Sequence, residues 1–186
     1  MKKVILFAAT AFVTVAGLAQ PKFAHVNFSE LVQLMPEADE ARATMNASQK
    51  EASDTFQSMY DEYQSKLQAY QQNASKWTDA IRQSKESELQ SIQQRLEEFN
   101  QAITQELQQQ QQQLLAPIQQ KAMEADNKLA KEGGYVYVFD ASSPLYVDPA
   151  QSTDLTPAAR KALNIPADRT LEALYQELQA QQQPAQ

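Results

Sequence analysis

His25 is the only histidine in the chain, and there is no cysteine. An imidazole can act as a base or a metal ligand, but it needs a second ligand or an orienting partner. His25 therefore reads as a strand histidine with a structural hydrogen bond. Aspartates and glutamates are spread over helical faces, where solvation explains them. There is no nucleophile–base arrangement and no glycine-rich phosphate loop. Catalysis, a metal and a cofactor are not expected. What the chain offers instead is contact chemistry. Phe56, Met59, Tyr60, Tyr63, Tyr70 and Phe99 are more apolar and aromatic than a solvated segment requires. Flexible Met and amphipathic Tyr suit binding of varied partners. Tyr60 and Tyr63 lie one turn apart, so not all of these can face one seam. Trp77, the lone tryptophan, either plugs the end of a helix pair or touches a partner. These seven are the candidate binding residues.

The elements that carry them follow from periodicity. From Glu37 to Ala116 there is neither Gly nor Pro. Ala52, Phe56, Met59, Tyr63, Leu67, Tyr70, Ala74, Trp77 and Ile81 step by three or four residues. So do Leu89, Ile92, Leu96, Phe99, Ile103, Leu107, Leu114 and Ile118, with Gln110 filling one step. Both runs keep one face of a helix, and the surface residues between them are good helix formers. Folding back on itself buries the stripe. The spacing predicts a long antiparallel helical hairpin over 37–132 with its tip near Asn73–Thr78, Thr78 serving as N-cap and Asp79 as a first-turn acid. Pro36 starts the outgoing arm, and Gly133-Gly134 ends the return. Pro117 should bend the return arm. The tract Gln108–Gln113 reads as a solvated helical segment.

Strands fall at the ends. Lys22–Asn27, Tyr135–Phe139 and Leu145–Val147 are short and rich in β formers. A helix is expected from Asp154 to Leu163, with Thr156 as N-cap and Pro157 as first helical residue. Leu171, Leu174, Tyr175 and Leu178 form a last amphipathic piece before a frayed tail. Three short strands bury little and expose two edges, yet Phe23, Val26, Tyr135, Tyr137, Phe139, Leu145, Tyr146 and Val147 are apolar. Assembly that closes strands of several chains into a small barrel resolves this. The competing packing sets the sheet against the chain's own C-terminal helices.

Residues 1–19 have a basic start, an apolar run from Val4 to Gly17 and small residues at Gly17 and Ala19. This is the layout of a cleaved signal peptide, and it predicts export. Loss of Lys2 and Lys3 takes the formal charge from −7 to −9. That argues against nucleic acid and against direct membrane binding, which need basic surfaces.

In their order, these pieces resemble the Skp/OmpH family of periplasmic chaperones. They are Lys22-Phe23-Ala24-His25-Val26-Asn27, a short helix to Met35-Pro36-Glu37, a Gln-rich hairpin, Gly134-Tyr135-Val136-Tyr137-Val138-Phe139-Asp140, Leu145-Tyr146-Val147-Asp148-Pro149 and Asp154-Leu155-Thr156. The resemblance covers about residues 22–165. It implies a homotrimer whose body is made of strands 22–27, 135–140 and 144–148. Three helical tentacles, here 37–132, would surround a cavity that holds unfolded outer-membrane proteins without ATP in the periplasm. The implied layout is a signal peptide over 1–19, a domain over 20–165 with its body at 20–36 and 133–165, and an extension over 166–186. Family tentacles are often basic, whereas this arm mixes both signs at its tip (Lys76, Asp79, Arg82, Lys85, Glu86, Glu88). The alternative is a structural or adaptor coiled-coil protein of the cell envelope, with one stable partner rather than many unfolded ones.

Overall fold

A computed structural model describes residues 21–182. The signal peptide expected over 1–19 and the last four residues lie outside them.

The chain order is β1 (Lys22–Val26), α1 (Phe28–Leu34), α2 (Pro36–Asn73), α3 (Asp79–Gly133), β2 (Tyr135–Asp140), β3 (Ser152–Asp154), α4 (Thr156–Ala162) and α5 (Leu171–Gln182). The molecule is mostly helical with one small sheet. At 1.5 Å rise per residue, α2 extends about 57 Å.

Local chemistry sets most of these boundaries. Asn27 caps α1, its Oδ1 accepting from the Glu30 amide at 3.1 Å. Pro36 occupies the first position of α2, where no amide is needed, and Glu37 and Asp39 follow in the first turn. A single 3-10 turn over Ala74–Lys76 then separates the long helices. The Thr78 hydroxyl accepts from the Ile81 amide at 3.4 Å and opens α3. α3 runs on through Pro117 and ends at Gly134, whose φ of 67° is left-handed. Glycine adopts that conformation without a Cβ penalty.

α2 and α3 lie side by side. Their cross-arm partners climb one helix as they descend the other: Glu37 with Lys121 at the root, then Glu62 with Arg95, Lys66 with Glu88, and Tyr70 with Glu86 near the turn.

β1 is the middle strand, parallel to both neighbours, in the order β2-β1-β3. One face of the sheet packs on helices. Ala24 and Val26 point into a core with Leu31, Leu34 and Met35 of α1 and its cap, Ala38 and Ala41 of α2, Ile118 and Ala122 of α3, and Leu155, Ala159 and Leu163 around α4. Leu174 of α5 is buried in the same core, with Leu171 and Leu178 against it.

Two expectations need correction. Leu145-Tyr146-Val147 is not a strand. Leu145 is fully exposed and Tyr146 is 78% exposed, and the segment lies in an irregular stretch between Pro144 and Pro149. Proline lacks the ladder donor and restricts the residue before it. The third strand is instead Ser152–Asp154, entered through a turn in which Asp148 Oδ1 accepts from the Ala150 amide at 2.9 Å. Thr156 is also not the cap of α4 but its first residue. Its amide donates to Asp154 Oδ1 at 2.9 Å, and its hydroxyl accepts from the Asn27 amide at 3.0 Å. The hydroxyl is thereby spent on tying α4 to the end of β1.

Candidate functional site

The arm sorts its aromatic residues. Met59, Tyr63, Tyr70, Trp77 and Phe99 are half-buried where α2 meets α3. Tyr63 accepts from Gln93 Nε2 at 2.7 Å across the seam. Tyr70 donates to Glu86, and this bond raises its pKa. The Trp77 ring meets Tyr70 edge-on, with centroids 5.9 Å apart, and so lies over the end of the seam. Phe56 and Tyr60 are different. They stay 39% and 42% exposed, and their rings stack with centroids 6.5 Å apart. Residues four apart share a helix face, so the pair forms one apolar plate on the outside of α2.

Between α2 and α3 near the root, the seam is not filled. Ala38 and Ala41 are too small to reach across, and a cavity of about 450 Å³ opens among them, Met45, Val32 of α1, and Leu107 and Leu114 of α3. Its wall is mostly carbon, with Arg42 and Gln111 at its polar margin.

Charge flanks the seam nearer the tip. Glu88 accepts from both Lys66 and Lys85, and these hydrogen bonds hold its carboxyl down at about 2. Lys66 is raised by the same pairing. At the root, Lys121 pairs with Glu37 and lowers it.

The body presents a second surface. On the face of the sheet away from the helices, Phe23 stacks on Tyr137 with centroids 6.3 Å apart, and Tyr137 touches Phe139 at 5.9 Å. Tyr137 and Phe139 are 59% and 48% exposed. His25 lies beside them in register with Phe139, and its Nδ1 is 2.9 Å from the Ser152 hydroxyl. No group of acids and histidines that could hold a metal occurs among the described residues. Of the expected assembly residues, Val26 is buried in the chain's own core. Tyr135 is half-buried against that core, and Val147 is half-buried in the irregular stretch. Leu145 and Tyr146 project freely. The Phe23, Tyr137 and Phe139 side chains are thus the ones the sheet brings together.

This layout has counterparts. The OmpH-like outer membrane protein family matches residues 22–163. The chain belongs to that family. A crystal structure from Caulobacter crescentus CB15, described as a candidate outer membrane chaperone (OmpH-like), matches the fold. The TM-score is 0.70 at 15% sequence identity, over 89% of this chain and 97% of that one. At that identity the likeness is one of fold. No curated protein sequence matches the chain. The family match stops at Leu163, and α5 lies beyond it. Just before α5, Arg169 Nη2 pairs with Asp39 of α2 at 2.5 Å, and Arg160 pairs with Glu30 at 2.6 Å. Arg160 also donates to the Pro166 carbonyl at 2.9 Å.

One buried group was not anticipated. Asp126 of α3 is only 8% exposed, and burial pushes its carboxyl up to about 6. The signal was present in the spacing. Ile118, Ala122, Asp126 and Leu129 step by four, four and three, which places a carboxylate on the apolar stripe.

Proposed function

We propose that this protein is an ATP-independent holdase chaperone of the periplasm that shields unfolded outer-membrane proteins. In this reading the sheets of three copies close a small barrel through their aromatic faces. The three arms, each an antiparallel helical hairpin, surround a shared space in which a client chain is held.

The observation that carries the reading is the division of labour along the arm. A two-helix arm needs its apolar residues in the seam, and most are there; Ile81 at the tip and Met123 at the root stand exposed singly. Phe56 and Tyr60 are left outside as a stacked plate that the fold does not use. Exposed aromatic pairs with a polar tip bind apolar segments without demanding one sequence. The cavity near the root adds a carbon-lined recess for a client side chain. Family membership supports the same assignment. The signal peptide reading of residues 1–19 supports export.

The experiment is suppression of aggregation. A urea-denatured outer-membrane barrel protein is diluted into buffer with the mature chain and no nucleotide. Light scattering should fall at a stoichiometric ratio of trimer to client. The double change Phe56→Ser, Tyr60→Ser should raise the concentration needed for half-protection about fivefold with the helical signal unchanged. Absence of protection by the unaltered chain at stoichiometric excess would discard the reading. A pull-down that returns one stable partner instead of many unfolded barrels would favour an envelope adaptor.

A further inference from the structure

Among the described residues, Asp126 is the only ionisable side chain in the buried set. Its Oδ1 has no hydrogen-bond partner. It lines a cavity of about 320 Å³ between α3, the start of α1 and the C-terminal ends of β1 and β2. Each neighbouring element has a known contribution. β1 brings Val26 and α1 brings Phe28, both carbon. β2 brings Val138, Phe139 and the carboxylate of Asp140. α3 adds Met123 and Asn127. The walls therefore carry two carboxylates and no cation. A buried carboxylate left alone is costly, and proteins keep one where a cation or a proton completes it. One turn earlier, Ala122 fills the equivalent stripe position without charge.

We propose that this cavity is the receiving half of an ion pair between subunits, entered by a lysine side chain of a second copy of this chain. The inference rests on the assembly reading above and names a contact within it. The rim argues for a second copy as the occupant. Met123 and Phe139 stand there 55% and 48% exposed. Phe139 also belongs to the open aromatic face, and β2 is an edge strand, paired only to β1. A copy that covers that face covers the mouth of the cavity. The lysine stem lies along Phe28 and Val138 while the ammonium reaches Asp126, an arrangement that long cationic side chains adopt readily. Donors are available in the body. Arg160 and Arg169 are engaged with Glu30 and Asp39. Lys22, Lys131 and Lys161 make no ion pair among the described residues, and Lys22 donates only to the Gly133 carbonyl at 3.3 Å.

Pairing needs the ionised carboxylate. Acidification through pH 6 protonates an Asp126 that lacks its partner, so the contribution of this contact to assembly is present at pH 8 and lost below pH 5. Asp140 is the other charged group on the wall, and its variant serves as a control.

The test follows oligomer mass against concentration for the mature chain at pH 8 and pH 4.5. Asp126→Asn should weaken assembly tenfold or more at pH 8 and leave it unchanged at pH 4.5, whereas Asp140→Asn should have the smaller effect. One of Lys22→Glu, Lys131→Glu and Lys161→Glu should reproduce the loss at pH 8. Combining it with Asp126→Asn should cost no more than either alone. The lysines are exposed, so their variants decide the matter even if Asp126→Asn fails to fold. Assembly of Asp126→Asn as tight as the parent at pH 8, or three lysine variants that all assemble normally, overturns the inference while leaving the trimer standing. A parent chain that is monomeric throughout overturns both.

Discussion

Body and arm are built to different depths. Among the described residues, every buried apolar side chain belongs to one cluster at the body and the arm root, except Ile92. Beyond Ala41 and Ile118 the arm is a two-helix layer whose stripe, Ile92 apart, is half-buried at best. Its edges are closed by polar bonds: Tyr63 with Gln93, Lys66 with Glu88, Tyr70 with Glu86. Two helices cannot surround a side chain on all sides, so length is gained without adding core. The difference teaches where opening should be easy. Segments with few buried apolar contacts open locally at low free energy, while a shared core opens only with the whole.

The strongest way to break the comparison is to cut the body. Leu34 is fully buried in the cluster, and Leu34→Ala should cost about 3 kcal/mol by transfer and cavity terms. In urea, the helical signal and the tyrosine signal should fall together at a lower midpoint. Ile92→Ala is the matched cut in the arm. It should cost about 2 kcal/mol because an open two-helix layer collapses more easily around a missing side chain. Its hydrogen exchange should rise around residues 60–95 while β1 and β2 amides keep their protection. Faster exchange in the strands as well would show that arm and body are one cooperative unit.

Smaller effects probe the junction and the tip. Gly134→Ala forces a Cβ into the left-handed cap at φ 67° and should cost about 1 kcal/mol, visible as a few degrees in the melting temperature. The last prediction concerns acid. Hydrogen bonds from Lys66 and Lys85 hold Glu88 at about 2, below the ordinary glutamate range. A depressed carboxylate contributes stability that is present above its unfolded value and lost as pH falls through the folded one. The tip half of the arm should therefore loosen modestly between pH 4.5 and 2, read by exchange at residues 66–90, and Glu88→Gln should flatten that dependence. In the body the sign is opposite. Asp126 is raised to about 6, so an unpartnered subunit loses stability as pH rises from about 4 through 6.

Much of this division was legible from residue types. Pro36, the Asn73–Thr78 interruption and Gly134 each mark a helix end by a backbone property that no packing overrides. From Leu89 on, the stripe on α3 was readable residue by residue, down to Gln110 as its half-buried weak step, whereas Ile81 at the tip, counted in the first run, stands exposed. The third strand was not, because Leu145-Tyr146-Val147 has strand composition and its bracketing prolines carried the stronger information. Spacing also could not separate Phe56 from Met59. Both fall within the same averaged stripe, and only the crossing of the two helices decides which one enters the seam. The packing of α5 was legible only as an alternative, for a related reason. An amphipathic helix shows that it has a partner, and the Tyr175 hydroxyl bonded to Gln33 of α1, beside the buried Leu174, shows which one.

The central place of β1 has a consequence for the order in which the chain can fold. Its first strand pairs only with strands made much later. Lys22 meets Gly133, 111 positions further along the chain, which at ribosomal speeds of about 5–20 residues per second is a wait of about 5–20 s. Closing so long a connection as free coil is entropically slow. The arm shortens it. Once α2 and α3 zip from the turn, Glu37 and Lys121 stand side by side, and the two strands are delivered to each other by a rod instead of a random walk. The projection is then also a folding splint, and lesions along it should slow formation of a sheet they never touch.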